Sequence, residues 1–386
     1  MKIAILTNNA NSFVKPMAEG LERMFSRVGV ESMVFYDGLE NLARLPDKFT
    51  RYVRANGNDS LSMARRAARY LLRDAPAMYK FVRQLRGFDA IVIVNSIPQA
   101  FFNTAFPDDT LRALFPSTPI VLYDLYYLPT RGPWGAWLKE GSPERGVPSA
   151  GNWGLERYDW YLCASVMSET PMPPGPQPYS VVGLDVDDGT LFPEQDGEFT
   201  ALLDFENTGY MAERATQIQA LEESGTRYVV LNGSYSIQKI RAVYRKASIF
   251  MLAMHESFGL PICEAQACGS YVFTPYVSWC PSHTMKEDAA VPGLGDLPSN
   301  FVVYDNDKDS LIREITRVKA AYDAEAVVRN FREVHPQYYR GNDAGLLDFV
   351  QKIRDGVIRG SSHRQRGGIS KNRAVLTAVS QLSGQV

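Results

Sequence analysis

Residues 250–275 read FMLAMHESFGLPICEAQACGSYVFTP, and they bring together the groups best suited to chemistry. Glu256 and Glu264 flank a loop that contains Gly259 and runs into a helix with Pro261 in its first turn. Proline is tolerated there because the N–H it lacks would have had no partner inside the helix. The N–H groups around Ser257, Phe258, Gly259 and Leu260 then point forward with the positive end of the helix dipole, a cradle for a phosphate or for sugar hydroxyls. Gly259 lets backbone and ligand approach closely. An ionised carboxylate only accepts hydrogen bonds, so either glutamate suits a ligand rich in hydroxyls. The plain alternative for the same residues is a capping carboxylate ahead of an amphipathic core helix.

These groups need a strand before them and a sheet behind them. Residues 2–6 read as a short buried strand, residues 14–28 as a helix stopped by Gly29, and residues 31–38 as a second strand. Residues 88–95, 119–123 and 158–164 read as further strands. The proline-rich stretch 171–180 is a loop, because proline cannot donate to a sheet ladder. A second β–α–β series follows: strands at 200–205, 227–231, 248–253 and 271–274, with helices at 210–223, 237–246 and 261–268, the last stopped by Gly269. Late helices are predicted at 311–322 and 344–358. The alternation predicts an α/β protein with two doubly wound Rossmann-like halves joined near residues 183–198. In open sheets of this kind, ligands bind outside the carboxyl ends of the strands, which is where the Glu256 loop falls.

Composition narrows the class. The chain has 386 residues with 41 Lys+Arg against 43 Asp+Glu, so it is not a uniformly basic nucleic-acid coat. Hydrophobic residues at 45% and charged residues at 22% are those of a folded globular protein. Four cysteines at wide or irregular spacing make neither a disulfide framework nor a zinc site. The first residues lack the apolar core of a secretory signal, and no run of 18 apolar residues exists, so a cytoplasmic protein without a transmembrane segment is expected, with a peripheral place at a membrane surface left open. Charge is uneven: residues 51–86 carry a net +7 and residues 352–386 a net +6. Arg65, Arg69 and Arg73 are four residues apart and share one helix face, either a solvated face or a platform for an anionic partner. The tail 361–386 reads as a mobile basic segment.

With these residues in view, the segment Glu256–Ser–Phe–Gly–Leu–Pro–Ile–Cys–Glu264 resembles the E-x7-E motif of retaining glycosyltransferases of family 4, which have the GT-B fold. "YDWYLCASVMSE" and "VVGLDVDDGTLFPE" resemble two further elements of that family in the right order, so the likeness runs from about Tyr158 to Asp307. The resemblance implies two Rossmann-like domains facing a central cleft. Residues 1–183 would form the acceptor side, with a C-terminal helix at about 340–360 packing back on it, and 198–335 would bind the nucleotide sugar. It implies that Glu256 lies by the donor sugar. Ser257, Phe258, Gly259 and Leu260 would offer N–H groups to sugar and diphosphate, and Glu264 would accept from the ribose hydroxyls. It also implies transfer with retention from a UDP- or GDP-sugar, without metal or other cofactor.

Two departures from the family pattern stand out. The family's diphosphate-binding Arg and Lys are absent after the first strand of the second half; Asp204 and Glu206 stand there, so either Arg214, Lys239 or Arg241 substitutes or the nucleotide is held mainly by the helix N-terminus. The family's His-Asp in the first half corresponds to Tyr123 and Asp124, which are carried as catalytic candidates, with Asn9 and the arginine stripe as acceptor candidates. Asp185 and Asp187 form a DxD, the metal motif of the other glycosyltransferase fold, but in a junction loop it reads as chance. His255, at a strand end beside Glu256, reads as either a ligand contact or a structural histidine, and Cys280 with His283 lacks the further ligands a metal site needs. The aromatics Tyr123, Tyr126, Tyr127, Trp134, Trp137 and Trp153 suit either sugar stacking or packing. A cell-envelope glycan or glycolipid is the expected acceptor. The competing readings are a nucleic-acid acceptor on the basic stripe and a degenerate nucleotide-binding protein without turnover.

Overall fold

A computed structural model describes residues 1–7, 14–36, 75–94, 111, 114–126, 158–165, 178–194, 197–206, 208–252, 258–276, 300–305 and 307–360. Chain order and burial together explain the first half. Strand β1 (Lys2–Leu6) is apolar on both faces, as a strand covered by helices on each side must be. It pairs in parallel with β2 (Glu31–Phe35) and β3 (Ala90–Val94). Beyond β3 lie β4 (Ile120–Tyr126), β5 (Trp160–Ser165) and β6 (Tyr179–Val181), giving a parallel sheet in the order β2-β1-β3-β4-β5-β6. Helix α1 (Val14–Arg27) buries Val14, Met17, Leu21, Met24 and Phe25, the expected helical spacing, and Gly29 follows it at φ 70°. Helix α2 (Ala75–Leu85) leads into β3.

The second half repeats the plan. It comprises β7 (Thr200–Leu203), α3 (Met211–Glu223), β8 (Arg227–Val230), α4 (Ile237–Tyr244), β9 (Ile249–Met251), α5 (Leu260–Ala267), β10 (Tyr271–Pro275) and β11 (Phe301–Tyr304). The strands are parallel in the order β11-β10-β9-β7-β8. Strand β11 was not anticipated from the sequence; its Phe301, Val302 and Tyr304 are buried against β10. Asp307 is the N-cap of helix α6 (Lys308–Ala320), where its side chain accepts from Ser310 N at 2.8 Å.

Helix α7 (Ala324–Val334), the single turn α8 (Pro336–Tyr339) and helix α9 (Asp343–Arg354) complete the described chain. Phe349 of α9 meets Phe25 of α1 with ring centroids 6.4 Å apart, and Asn342 N donates to Val182 O at 2.7 Å, so α9 lies against the first half. The linker out of β6 is knitted to α8: Leu184 N donates to Gln337 O at 2.8 Å and Val186 N to Tyr339 O at 3.0 Å. Asp185, with its side chain fully buried, accepts from Arg23 Nη2 at 2.8 Å and from Arg27 of α1. Asp187 accepts from the Tyr339 hydroxyl at 2.8 Å. Asp185 therefore ties the linker to α1 and Asp187 ties it to α8, and no group of three metal-ligating side chains occurs among the described residues. The two doubly wound, Rossmann-like sheets with a returning C-terminal helix form the expected GT-B type of architecture. Among the described residues no helix is long and apolar enough to cross a membrane.

Candidate functional site

In the second sheet the chain runs from β7 outward to β8 and then returns to the other side of β7 as β9. Its topological switch point therefore lies between β7 and β9, the place where open sheets of this kind bind ligands. Two side chains of α3 close that point from one face. Arg214 Nη2 donates to Asp204 O, just past β7, at 2.6 Å. Gln217 Nε2, one turn on, donates to Leu252 O, just past β9, at 2.6 Å and to the Tyr304 hydroxyl at 2.7 Å. Arg214 is 3% exposed, and its Nε and Nη1 have no hydrogen-bond partner among the described residues; nor has Gln217 Oε1. Burial pulls the Arg214 guanidinium below its ordinary pKa and pushes the nearby Asp204 carboxyl above its own. A buried cation with open donors is suited to an oxyanion.

Helix α5 begins at the same edge. Gly259, its N-cap, has φ 179° and ψ 160°, extended backbone open to any residue, so the helix entry does not itself require glycine. Pro261 lies in the first turn as expected. Phe258 and Leu260 are buried, and the Phe258 ring packs on Tyr338 at 4.5 Å between centroids. What they can offer a ligand is main-chain N–H, the role the sequence suggested. Tyr338 also meets Ser165, at the end of β5, hydroxyl to hydroxyl at 2.9 Å. Glu256 and Ser257, with His255, lie outside the described residues.

Glu264 occupies the second turn of α5 and is 5% exposed. Its Oε1 accepts from Arg241 Nε at 2.9 Å and Nη2 at 2.7 Å. The remaining nitrogen of Arg241, Nη1, reaches Asp188 in the linker and Thr190 Oγ1 at 2.8 Å. Asp188 is fixed in turn by Thr190 N at 2.9 Å and Thr190 Oγ1 at 2.7 Å. Burial pushes the Glu264 carboxyl above its ordinary range, and Arg241 pulls it back in part. Burial opposes the Asp188 carboxylate too, but the bonds from Thr190 and Arg241 outweigh it and hold Asp188 below its ordinary pKa. The guanidinium of Arg241 is thus saturated by protein groups, whereas Arg214 keeps open donors and Lys239 is exposed on α4.

The first-half candidates sit elsewhere. Tyr123 on β4 is fully buried and its hydroxyl donates to Gly183 O at 2.8 Å, so as placed it supports the linker and presents no hydroxyl to a sugar. Asp124 is buried at the carboxyl end of the same strand, with Oδ1 accepting from Leu125 N at 2.6 Å. Asn9, Arg65, Arg69, Arg73, Tyr127, Trp134, Trp137, Trp153, Cys280, His283 and the tail 361–386 lie outside the described residues. Gln217, Tyr304, Asp188 and Thr190 were missed in the sequence. Only Asp188-x-Thr190 carries a local signal, an Asx turn, and the others are joined by tertiary contacts alone.

No family model and no curated protein matches the sequence. Solved structures do. The calicheamicin glycosyltransferase CalG4 is 15% identical over 92% of this chain and 98% of that one, with a TM-score of 0.41. The UDP-GlcNAc 2-epimerase of Neisseria meningitidis bound to UDP-GlcNAc is 9% identical over 91% and 99%, with a TM-score of 0.46. The MurG protein of Acinetobacter baumannii is 11% identical over 91% and 100%, with a TM-score of 0.38. At this level of likeness no substrate and no residue role is carried from any of them to this chain.

Proposed function

We propose that the protein is a glycosyltransferase of GT-B architecture that moves a sugar from a nucleotide sugar to an acceptor hydroxyl with retention of anomeric configuration. The observation that carries this reading is the convergence, at one sheet edge, of a buried guanidinium with open donors and a helix N-terminus entered by an E-x7-E segment. Arg214 is the cation for the leaving diphosphate, because Arg241 is saturated by carboxylates and Arg214 is not. The main-chain N–H groups at the start of α5 take sugar and phosphate oxygens, Glu256 faces the reacting sugar, and Glu264 accepts from the ribose. Residues 198–335 are the donor side and residues 1–183 the acceptor side. The reaction needs no metal and no bound cofactor. The net +7 of residues 51–86 favours an anionic acceptor, a glycolipid or envelope glycan met by a protein working from the cytoplasm.

The test is incubation with a panel of UDP-, GDP-, ADP- and TDP-sugars, with free nucleotide and released sugar followed by NMR. Slow donor hydrolysis with one nucleotide, retained configuration in the first-formed sugar and insensitivity to EDTA are expected. Binding without turnover across the panel would leave a nucleotide-binding protein, and an inverted product would remove the retaining assignment.

A further inference from the structure

The Glu264 carboxylate is shared unevenly. Both bonds from Arg241 fall on Oε1, and Oε2 has no hydrogen-bond partner among the described residues. Arg241 meanwhile holds the linker with its third nitrogen, through Asp188 and Thr190, and the neighbouring Arg245 repeats the pattern one turn on. Arg245 Nε donates to Glu194 at 2.9 Å and its Nη1 to Thr190 O at 3.3 Å. Helix α4 is therefore the strap that holds linker residues 188–194 against the second half, while the same linker is tied to α1 and α8 by Asp185 and Asp187.

We infer that Arg241 is a positioning residue that couples donor binding to the linker: it turns Glu264 so that Oε2 faces the donor ribose, and the same guanidinium clamps Asp188. This rests on the reading of Glu264 as a ribose contact. The physics is one of shared charge. One guanidinium serves a buried carboxylate, Glu264, and a half-buried one, Asp188, so the arrangement carries a net negative charge. A hydroxyl donated to Oε2 supplies the hydrogen bond that Arg241 cannot give to Glu264 without releasing Asp188. An occupied ribose site therefore leaves Arg241 free to hold the linker, and a held linker keeps Oε2 turned to the ribose. Thermodynamic reciprocity makes both effects equal in size.

The experiment measures nucleoside diphosphate affinity by calorimetry (UDP, GDP, ADP and TDP) and amide exchange of linker residues 184–194 with and without the nucleotide that binds. For the wild type, nucleotide should slow linker exchange. Asp188→Asn should weaken nucleotide binding about 3- to 10-fold and abolish that slowing, although Asp188 lies on the linker, with kcat changed less than KM. Arg241→Lys, which keeps the charge but cannot bridge two carboxylates, should do at least as much, and Thr190→Val gives a milder version should either variant fold poorly. Variants that lose thermal stability but bind nucleotide like the wild type would overturn the coupling and leave Arg241 a purely structural ion pair. Weakened binding in Glu264→Gln alone would keep the ribose contact and discard the coupling. Absence of binding by any nucleotide in the wild type would overturn the proposed function and this inference together.

Discussion

Arg214 and Arg241 show how neighbouring arginines of one domain come to differ in use. Arg241 has a partner for each nitrogen it turns inward, whereas Arg214 is buried with Nε and Nη1 open. Keeping a desolvated cation half-satisfied costs stability, which functional sites sustain and structural ones avoid. Arg214→Met is therefore expected to leave the melting temperature unchanged or raise it, while weakening nucleoside diphosphate binding about 10-fold or more, the scale of one charged hydrogen bond. A variant that melts lower and binds normally would mark Arg214 as structural. His335 illustrates the opposite sensitivity. Its ring stacks on Tyr338 with centroids 5.6 Å apart, and burial holds its pKa below the ordinary 6.5. The folded state thus binds the proton less well than the unfolded chain, so stability is full above pH 6.5 and falls as pH drops toward the folded value. Between pH 7.5 and 5.5 the urea midpoint of the wild type should fall more steeply than that of His335→Phe, which keeps the ring and removes the proton site. Parallel profiles for the two would contradict this.

The linker and the turn α8 depend on close backbone approach more than on side-chain chemistry. Gly183 has φ 76°, and a Cβ built there would stand 2.2 Å from Gln337 O, a backbone atom with nowhere to go. Gly183→Ala combines a left-handed conformation, about 1 kcal/mol for an L-residue, with that clash. A loss of more than about 3 kcal/mol in urea unfolding is expected, above the usual range for a surface substitution. A loss under about 1 kcal/mol would show that the linker can move away from α8 at little cost. The hydroxyl of Tyr123 donates to the carbonyl of this same glycine, so β4, the linker and α8 meet at one point.

Helix α9 belongs by sequence to the second half and by packing to the first. Its Leu346, Phe349 and Val350 are buried, and Gly345 lies so close to Val181 O that a Cβ would stand 2.2 Å from it. Phe349→Ala should therefore cost about 3–5 kcal/mol, the range for a buried aromatic. The loss should appear as faster amide exchange in α1 and β6, not in β7 to β11. Uniform loosening of both sheets would instead mean that the halves unfold as one unit.

Much of this was legible along the chain. Buried parallel strands announce themselves as short apolar runs, and α1, α3 and α5 end at Gly29, Gly225 and Gly269 at φ 70°, 59° and 90°, because only glycine enters that region without strain. The E-x7-E spacing placed Glu264 on the first turns of a helix whose N-terminus faces the sheet edge, since a loop and two turns determine such a placement locally. Strand β11 escaped because it is only four residues long, and helix α7 because its buried Val327, Val328 and Phe331 are few and follow helix α6 after only a short break. Residue types do not distinguish Arg214, Lys239 and Arg241. What separates Arg241 from Arg214 is which carboxylates lie within hydrogen-bonding distance: Glu264 and Asp188 are 76 residues apart and share Arg241 only because α4, α5 and the linker pack together. Residue type and local spacing set what each group can do. Partner and burial, which come from contacts remote in sequence, decide which of them is free to do it.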